Sequence, residues 1–261
     1  MRSASVDTGS HCEPLDPGRL CVWIMRTDGP VSHEAVSRLE GLLPLGERVE
    51  ARRYRRDADQ RQFILSRALV RLVLSRYLPV PPDEWRFERD GHGRPSISGP
   101  VRPSPVQFSL SHTRGLIACL VTRSVQAAVD VERIEYVADL SRVAQQVLSP
   151  GERAALGMPS SRNWTTRFYE HWTLKEAYAK ARGLGLALTL SDIGFELRPD
   201  DTIAAHFAAR VADDSSAWRF WRRHLSPRHV LSVAAGNGVG GECEVILRPI
   251  TVGGASIMLS G

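Results

Sequence analysis

Residues 172–180 read WTLKEAYAK, and this stretch sets our expectation for both the fold and the chemistry of the chain. Because side chains four residues apart lie on the same side of a helix, Trp172, Glu176 and Lys180 share one face. A face that only packs is apolar, whereas this one carries a carboxylate and an ammonium. An ordinary exposed Glu–Lys pair is the simpler alternative, but the many aromatic residues nearby predict a covered helix. We therefore predict a functional helix over residues 162–182.

A second acidic element lies upstream, where residues 127–132 read AAVDVE and predict a strand. Since alternate residues of a strand point the same way, Asp130 and Glu132 share a face. Two carboxylates on a covered face repel each other, and a hard cation with oxygen ligands removes that repulsion. Two solvated acids at a strand end are the alternative. Together with Glu176 and Lys180, the pair predicts a divalent metal beside a phosphorylated substrate.

Composition narrows the classes of protein that fit. The chain has 261 residues, of which 43% are hydrophobic, enough for one large domain or two small ones. Its formal net charge is +5 and its pI about 9.3. The excess comes from arginine, because lysine occurs only at positions 175 and 180. A basic surface attracts nucleic acid, acidic proteins or phosphorylated small molecules, although ordinary solvated charge is the alternative.

The cysteines and the apolar runs indicate a cytoplasmic protein. None of the four cysteines has CxxC spacing, which argues against a zinc site or a redox motif. Residues 1–18 are polar and lack the apolar core of a signal peptide. No apolar run approaches the roughly 20 residues that span a bilayer. We therefore expect a reducing, cytoplasmic location and no membrane partner.

The order of predicted elements divides the chain into four segments. Residues 1–18 are predicted to be a loose leader, residues 19–124 an N-terminal half, residues 125–236 a C-terminal half with the metal site, and residues 237–261 a tail. Each half reads as a strand, a long helix and several strands. This pattern predicts an α+β fold with two similar α/β halves and an internal pseudo-repeat.

Two further stretches could hold a phosphate. Residues 91–95, GHGRP, combine glycines that let the backbone approach a ligand with Arg94, whose planar guanidinium suits phosphate. A simple hairpin turn is the alternative. Ser111 and His112 end a predicted strand before another turn. Because neighbours on a strand point to opposite faces, these two residues cannot form a nucleophile–base pair of a hydrolase.

Four motifs in this order resemble those of the 4′-phosphopantetheinyl transferase superfamily. They are GRP at 93–95, FSLSH at 108–112, VDVE at 129–132 and WTLKEAYAK at 172–180. The match is to the larger, surfactin-synthetase-activating (Sfp-like) type, over roughly residues 48–235. It implies two halves related by a pseudo-two-fold axis, with coenzyme A between them. It also implies transfer of 4′-phosphopantetheine from coenzyme A to a serine of an apo acyl or peptidyl carrier protein, giving the holo form and 3′,5′-ADP.

The resemblance also assigns roles to individual residues. Asp130, Glu132 and Glu176 would hold Mg²⁺, or Mn²⁺ in its place. Glu176 would also act as the catalytic base, and Lys180 would bind the pyrophosphate. The residues implied to bind coenzyme A are Arg48, Arg53, Arg89, Gly93, Arg94, Pro95, Ser111, His112, Lys175 and Lys180.

The implied partners are coenzyme A and acidic carrier proteins of polyketide, nonribosomal peptide or fatty acid biosynthesis. The two-half architecture implies a monomer, and no nucleic acid partner is expected. Two other classes remain as alternatives. A metal-dependent phosphodiesterase or nuclease would use the same three carboxylates with a water nucleophile. A basic nucleic-acid-binding module would place clustered arginines beside aromatic rings, which the run RRYRR at 52–56 fits locally.

Overall fold

A computed structural model describes residues 12–29, 31–91, 93–123, 125–161, 163–236, 243–252 and 257–259. These residues form two compact units. The first unit takes the described residues of Met1–Asp90, Pro95–Ser124 and Glu244–Gly261, and the second those of Gly91–Arg94 and Val125–Cys243. No helix within the described ranges is both long and apolar enough to cross a lipid bilayer.

The first unit is built on a five-stranded sheet. Elements are numbered along the whole chain, and this unit contains α1 (His33–Gly41), α2 (Leu45–Ala51), α3 (Asp57–Tyr77), β1 (Arg19–Arg26), β2 (Arg86–Arg89), β3 (Pro95–Gly99), β4 (Gln107–Thr113), β5 (Leu116–Thr122), β11 (Glu244–Val252) and β12 (Ile257–Leu259). The sheet order is β12-β11-β1-β5-β4, and β2 and β3 form a separate hairpin. Among the described strand pairs of this sheet, β1–β11 is parallel and the others are antiparallel.

Helix α3 supplies more buried core residues to this unit than any other element. Its apolar face is covered, because Leu65, Leu69 and Leu74 are fully buried. They pack with strand residues such as Trp23 and Cys119 in one apolar cluster. The long helix and the central strands therefore pack around one shared hydrophobic core.

The predicted loose leader is wrong for its described part, residues 12–18. Leu15 is only 6% exposed and belongs to the core cluster. The Glu13 carboxylate pairs with Arg76 and, at 2.8 Å, with Arg248, while the Glu13 amide donates to the Arg76 carbonyl at 2.7 Å. Two partners from distant parts of the chain hold this segment, which local composition cannot show. Residues 1–11 lie outside the described residues.

The predicted tail at 237–261 is also wrong where it is described. Residues 244–252 form β11, which pairs in parallel register with β1, Arg19 opposite Glu244 and Met25 opposite Ile250. Ile250 is 4% exposed and joins the core. The glycines around this segment suggested a turn or a frayed end, whereas the strand is fixed by a partner at the other end of the sequence. The glycine-rich stretch at 237–242 lies outside the described residues.

The second unit carries α4 (Leu140–Val147), α5 (Pro150–Leu156), α6 (Trp164–Arg182), β6 (Ala127–Arg133), β7 (Ile193–Leu197), β8 (Ile203–Phe207), β9 (Trp218–Ser226) and β10 (His229–Gly236). Its antiparallel sheet has the order β6-β10-β9, and β7 and β8 form a hairpin. Helix α6 packs across β6 and β10. The α+β class is thus confirmed, since each unit packs one long helix on a mainly antiparallel sheet.

Local signals read from the sequence set the helix ends of this unit. Ser149 caps α5 in a capping box with Glu152, and Pro150 takes the first helical position. Helix α6 ends at Gly183, whose φ of +67° lies in the left-handed region that glycine tolerates best. The predicted helix at 162–182 is therefore confirmed to within two residues.

The burial of β11 gives a test of the first unit. We expect Ile250→Ala to lower the free energy of unfolding by about 2–4 kcal/mol, because it leaves a cavity in the core. Glu244→Ala, which changes an exposed residue at the start of the same strand, should shift it by no more than about 0.5 kcal/mol. Urea denaturation of both variants measures the difference. Equal stability of the two variants would show that this strand does not belong to the core.

Candidate active site

The candidate site lies where β6 meets α6. Ala128, Asp130 and Glu132 alternate along β6, and the first of them packs in the core with Ala177 and Ala181 of α6. The same strand face therefore changes from apolar to acidic along its length. The two predicted carboxylates face the helix, as their spacing required.

Asp130 forms the main ion pair of the site. Lys180 Nζ lies 2.5 Å from Asp130 Oδ1. The Asp130 side chain is only 4% exposed, whereas that of Lys180 is 35% exposed. A carboxylate so deeply buried requires a positive partner, and α6 supplies it.

Trp172 contacts the second strand carboxylate, that of Glu132, a contact that was not predicted from the sequence. Its indole Nε1 donates to Glu132 Oε1 at 3.3 Å. The ring also stacks against Phe168, with centroids 6.0 Å apart and planes inclined by 22°. The spacing of Trp172, Glu176 and Lys180 on one helical face was the signal that could have revealed this contact.

Glu176 lies between these two pairs along the helix. Burial raises the pKa of its carboxyl, the nearby charge of Asp130 raises it further, and Lys180 partly opposes both. Burial alone would lower the pKa of Lys180, but the charges of Asp130, Glu176 and Glu132 outweigh it and raise the pKa. The Lys180 ammonium therefore interacts with all three carboxylates, and Asp130 also acts on Glu176.

The carboxylates of the site match the predicted metal in chemistry but not in arrangement. Within the described ranges, no group of three or more His, Cys, Asp or Glu side chains is arranged as a metal site. Asp130 is instead bonded to an ammonium. The side chains nonetheless match a hard divalent cation in chemistry, because Asp130, Glu132 and Glu176 offer only carboxylate oxygens.

The loop with the GRP motif contributes Gly93 and Arg94 to the second unit. Arg94 Nη1 donates to the Ala181 carbonyl at 3.1 Å, and Gln126 Nε2 donates to the same oxygen at 2.9 Å. Gly93 has a φ of +83°, which a side chain would strain. The structure thus brings this loop to the C-terminal end of α6.

Apart from Lys175 and Lys180, the other residues predicted to contact coenzyme A belong to the first unit. Arg48 donates through Nε to the Leu43 carbonyl at 2.7 Å. On β4, Ser111 is buried and His112 is exposed, as expected for neighbours on opposite faces. Arg53 and Arg89 are exposed and Pro95 is half-buried. Their contacts with a ligand stay predictions.

Lys175 is the one predicted coenzyme A contact that the structure contradicts. Its side chain is completely buried and pairs with Glu152 Oε2 at 2.8 Å. Its ammonium also donates to the Leu190 carbonyl at 3.0 Å and to the Ile193 carbonyl. Lys175 points about 100° away from Glu176 around the helix, so it faces the interior of the unit instead of the site.

Glu152 is the centre of this buried network. Its two oxygens accept from the Ser149 amide at 2.7 Å, the Phe195 amide at 2.9 Å and Lys175, and His171 Nδ1 lies 3.1 Å away. Burial alone would raise the pKa of Glu152, but the hydrogen bond with His171 and the charge of Lys175 outweigh it and lower the pKa to about 2. The network ties α5, α6 and β7 together.

Comparisons with known proteins support the family that the four motifs indicate. Residues 29–124 match the family described as "4′-phosphopantetheinyl transferase, N-terminal", and residues 126–234 match the "4′-phosphopantetheinyl transferase superfamily". The 4′-phosphopantetheinyl transferase HetI of Nostoc sp. is 30% identical over 180 residues, which cover 69% of this chain and 75% of HetI. The chain belongs to the 4′-phosphopantetheinyl transferase superfamily.

Two further relatives show which type of transferase this is. The 4′-phosphopantetheinyl transferase Sfp of Bacillus subtilis is 27% identical over 208 residues, 80% of this chain and 88% of Sfp. A phosphopantetheinyl transferase of Thraustochytrium sp. is 27% identical over 230 residues, 84% of this chain and 79% of the relative. Both halves of the transferase are matched, which confirms the larger, Sfp-like type.

The buried carboxylate of Glu152 gives a pH-dependent test of the scaffold beneath the site. Because its folded pKa is about 2 instead of 4.5, its stabilisation is complete above about pH 4.5 and is lost as the pH falls toward 2. We expect Glu152→Gln to lower the free energy of unfolding at pH 7 by about 3 kcal/mol. The deficit should shrink below pH 4.5. Urea denaturation over a pH series measures it.

Glu196→Gln is the matched control, because Glu196 is an acid of the same unit whose side chain is 57% exposed. Its stability should follow that of the unchanged transferase at every pH. A deficit of Glu152→Gln that stayed constant from pH 7 to pH 3 would contradict the ion-pair account.

Proposed function

We propose that this transferase moves 4′-phosphopantetheine from coenzyme A to a serine of an apo acyl or peptidyl carrier protein, releasing 3′,5′-ADP. Family membership supports the transfer reaction. The observation that carries the assignment to particular residues is the cluster at β6 and α6, where three carboxylates and Lys180 interact electrostatically. The comparisons give no support to a nuclease or a nucleic-acid-binding module.

The residues of α6 supply the proton transfer and the charge that this reaction needs. The serine oxygen bonds to the phosphorus that carries pantetheine, the bridging P–O bond breaks, and 3′,5′-ADP leaves with the electron pair. Glu176 takes the serine proton, since a carboxylate held near the hydroxyl can act as the base. Lys180 stabilises the negative charge that develops on the pyrophosphate oxygens.

Asp130, Glu132 and Glu176 would hold a divalent cation, Mg²⁺ or Mn²⁺. When bound, that cation would neutralise charge on the pyrophosphate and so favour departure of 3′,5′-ADP. The fit rests on the chemistry of the three carboxylate donors and on the charge interaction between Asp130 and Glu176. Trp172 keeps Glu132 oriented by its hydrogen bond.

We propose that most of the residues predicted to contact coenzyme A do bind it. We retain Arg48, Arg53, Arg89, Gly93, Arg94, Pro95, Ser111, His112 and Lys180 for this role. Lys175 is removed from the set, because its ammonium is enclosed by the Glu152 carboxylate and two backbone carbonyls. Lys180 alone then supplies the lysine for the pyrophosphate.

The proposed protein substrate is acidic, and the chain would act as a monomer in the cytoplasm. Four arginines of the run at 52–56 are exposed, and none of them forms an ion pair with a described carboxylate. Such arginines suit an acidic partner. A cytoplasmic location agrees with four cysteines that form no disulfide.

The reaction can be tested directly by intact mass. We expect an apo carrier protein incubated with the transferase, coenzyme A and Mg²⁺ to gain the mass of one phosphopantetheine, and excess chelator to abolish the gain. Asp130→Asn should lower the rate by about 100-fold or more, a loss typical of removing one charge-stabilising group. Asp200→Asn, which changes an exposed acid of the same unit, should keep the rate. No mass gain with any carrier would refute the proposed function, and undiminished transfer in excess chelator would refute the metal requirement.

Glu176→Gln separates a base from a metal ligand. If Glu176 takes the serine proton, the amide cannot replace it, and the rate should stay at least about 100-fold low at every Mg²⁺ concentration. If Glu176 only holds the metal, extra Mg²⁺ should restore part of the rate. We expect the first outcome, with coenzyme A binding retained. Steady-state rates over a Mg²⁺ series, with coenzyme A affinity from calorimetry, measure both, and rescue by Mg²⁺ would overturn the base assignment.

A further inference from the structure

We propose that Lys180 competes with the divalent cation for Asp130, so that binding of coenzyme A, which draws Lys180 away, makes the metal site available. This inference rests on the proposed function, because it takes Asp130 as a metal ligand and Lys180 as a pyrophosphate contact. It adds that both roles cannot be filled while the two side chains are paired. Metal and coenzyme A would therefore bind cooperatively.

The ion pair itself is the first observation. Lys180 Nζ is 2.5 Å from Asp130 Oδ1, and the charges of Glu176 and Glu132 also act favourably on the ammonium. The ammonium thus interacts with the same three carboxylates that are proposed to bind the metal. A divalent cation bound to those oxygens would be close to the ammonium, and like charges at such a distance repel strongly.

The difference in burial between the partners indicates which one moves. Asp130 is fixed in β6, where it is paired in register with Ser232 of β10, and its side chain is 4% exposed. Lys180 has a flexible four-carbon stem and a side chain that is 35% exposed. The lysine can therefore leave toward solvent or an anion, whereas the carboxylate stays in the sheet.

The contrast with Lys175 supports an exchangeable role for Lys180. Lys175 pairs with a carboxylate as well, but its side chain has no exposed surface and two backbone carbonyls also accept from its ammonium. That pair has no route by which the lysine could be exchanged for another cation. The two lysines of the chain thus form one enclosed ion pair and one accessible ion pair.

Thermodynamic linkage turns the competition into a measurable prediction. If an anion removes Lys180 from Asp130, it strengthens metal binding, and the metal strengthens anion binding by the same factor. Removing the ammonium by mutation should imitate the anion. Without coenzyme A, Lys180→Ala should therefore bind a divalent cation more tightly than the unchanged chain, although it has lost a pyrophosphate contact.

Titration of the full chain with Mn²⁺, followed by electron paramagnetic resonance of the unbound ion, tests this directly. Without coenzyme A, we expect Lys180→Ala to bind Mn²⁺ roughly 5-fold or more tightly than the unchanged chain, the lower end of typical coupling between two ligands. Coenzyme A should tighten Mn²⁺ binding by a larger factor in the unchanged chain than in Lys180→Ala. Arg219→Ala, which removes one exposed positive charge of the same unit, should bind Mn²⁺ like the unchanged chain.

The outcomes separate this inference from the proposed function. Equal or weaker Mn²⁺ binding by Lys180→Ala, or tighter binding by Arg219→Ala to the same extent, would overturn the competition even if the unchanged chain transfers phosphopantetheine normally. Absence of transfer by the unchanged chain would refute the function instead. If Lys180→Ala is less stable, the increase in melting temperature on adding Mn²⁺ is measured instead of the titration. That increase should be larger for Lys180→Ala than for the unchanged chain. An equal or smaller rise would also overturn the inference.

Discussion

A carboxylate whose side chain is 4% exposed is strongly destabilising unless a cation lies beside it, and Asp130 imposes this constraint on the second unit. The unit meets it with Lys180 from α6. On the other side of α6, the buried carboxylate of Glu152 also requires a cation, and Lys175 supplies it. These are the only two lysines in the chain, and each neutralises a buried carboxylate. The remaining basic residues are arginines, which keep their charge under almost any burial.

The two ion pairs have different roles: Lys175–Glu152 stabilises the fold, whereas Lys180–Asp130 belongs to the proposed active site. The Lys175 ammonium is enclosed by Glu152 and by backbone carbonyls, which fixes the orientation of α6 about its own axis. With that orientation set, the neighbouring Glu176 and the more distant Lys180 face β6. A change at Glu152 would thus disturb the site without touching any residue proposed to react. The adjacent positions 175 and 176 serve opposite sides of one helix, and their roles follow from the 100° between them.

Much of the fold and the centre of the site could be predicted from the sequence. Helical spacing placed Glu176 and Lys180 on one face, strand alternation placed Asp130 and Glu132 on another, and the structure brings the two faces together. These rules work because they depend only on near neighbours in the chain. The predictions were wrong where the structure of a segment depends on residues that are distant in the sequence. The segment at 12–18 and strand β11 are held by residues far away in the sequence, and Lys175 is paired with a carboxylate on another helix.

The parallel pairing of β11 with β1 has a consequence for how the chain acquires its structure during synthesis. The five-stranded sheet takes strands from both ends of the sequence, while residues 125–236 lie between them and belong to the other unit. The first unit therefore emerges first from the ribosome, but β1 cannot pair with β11 until residues through 252 have followed. Until then, β1 has an unpaired edge, which is a template for association with other chains. The second unit is formed by one continuous stretch of sequence and one short loop. It can therefore fold before the last strands of the first unit have been synthesised.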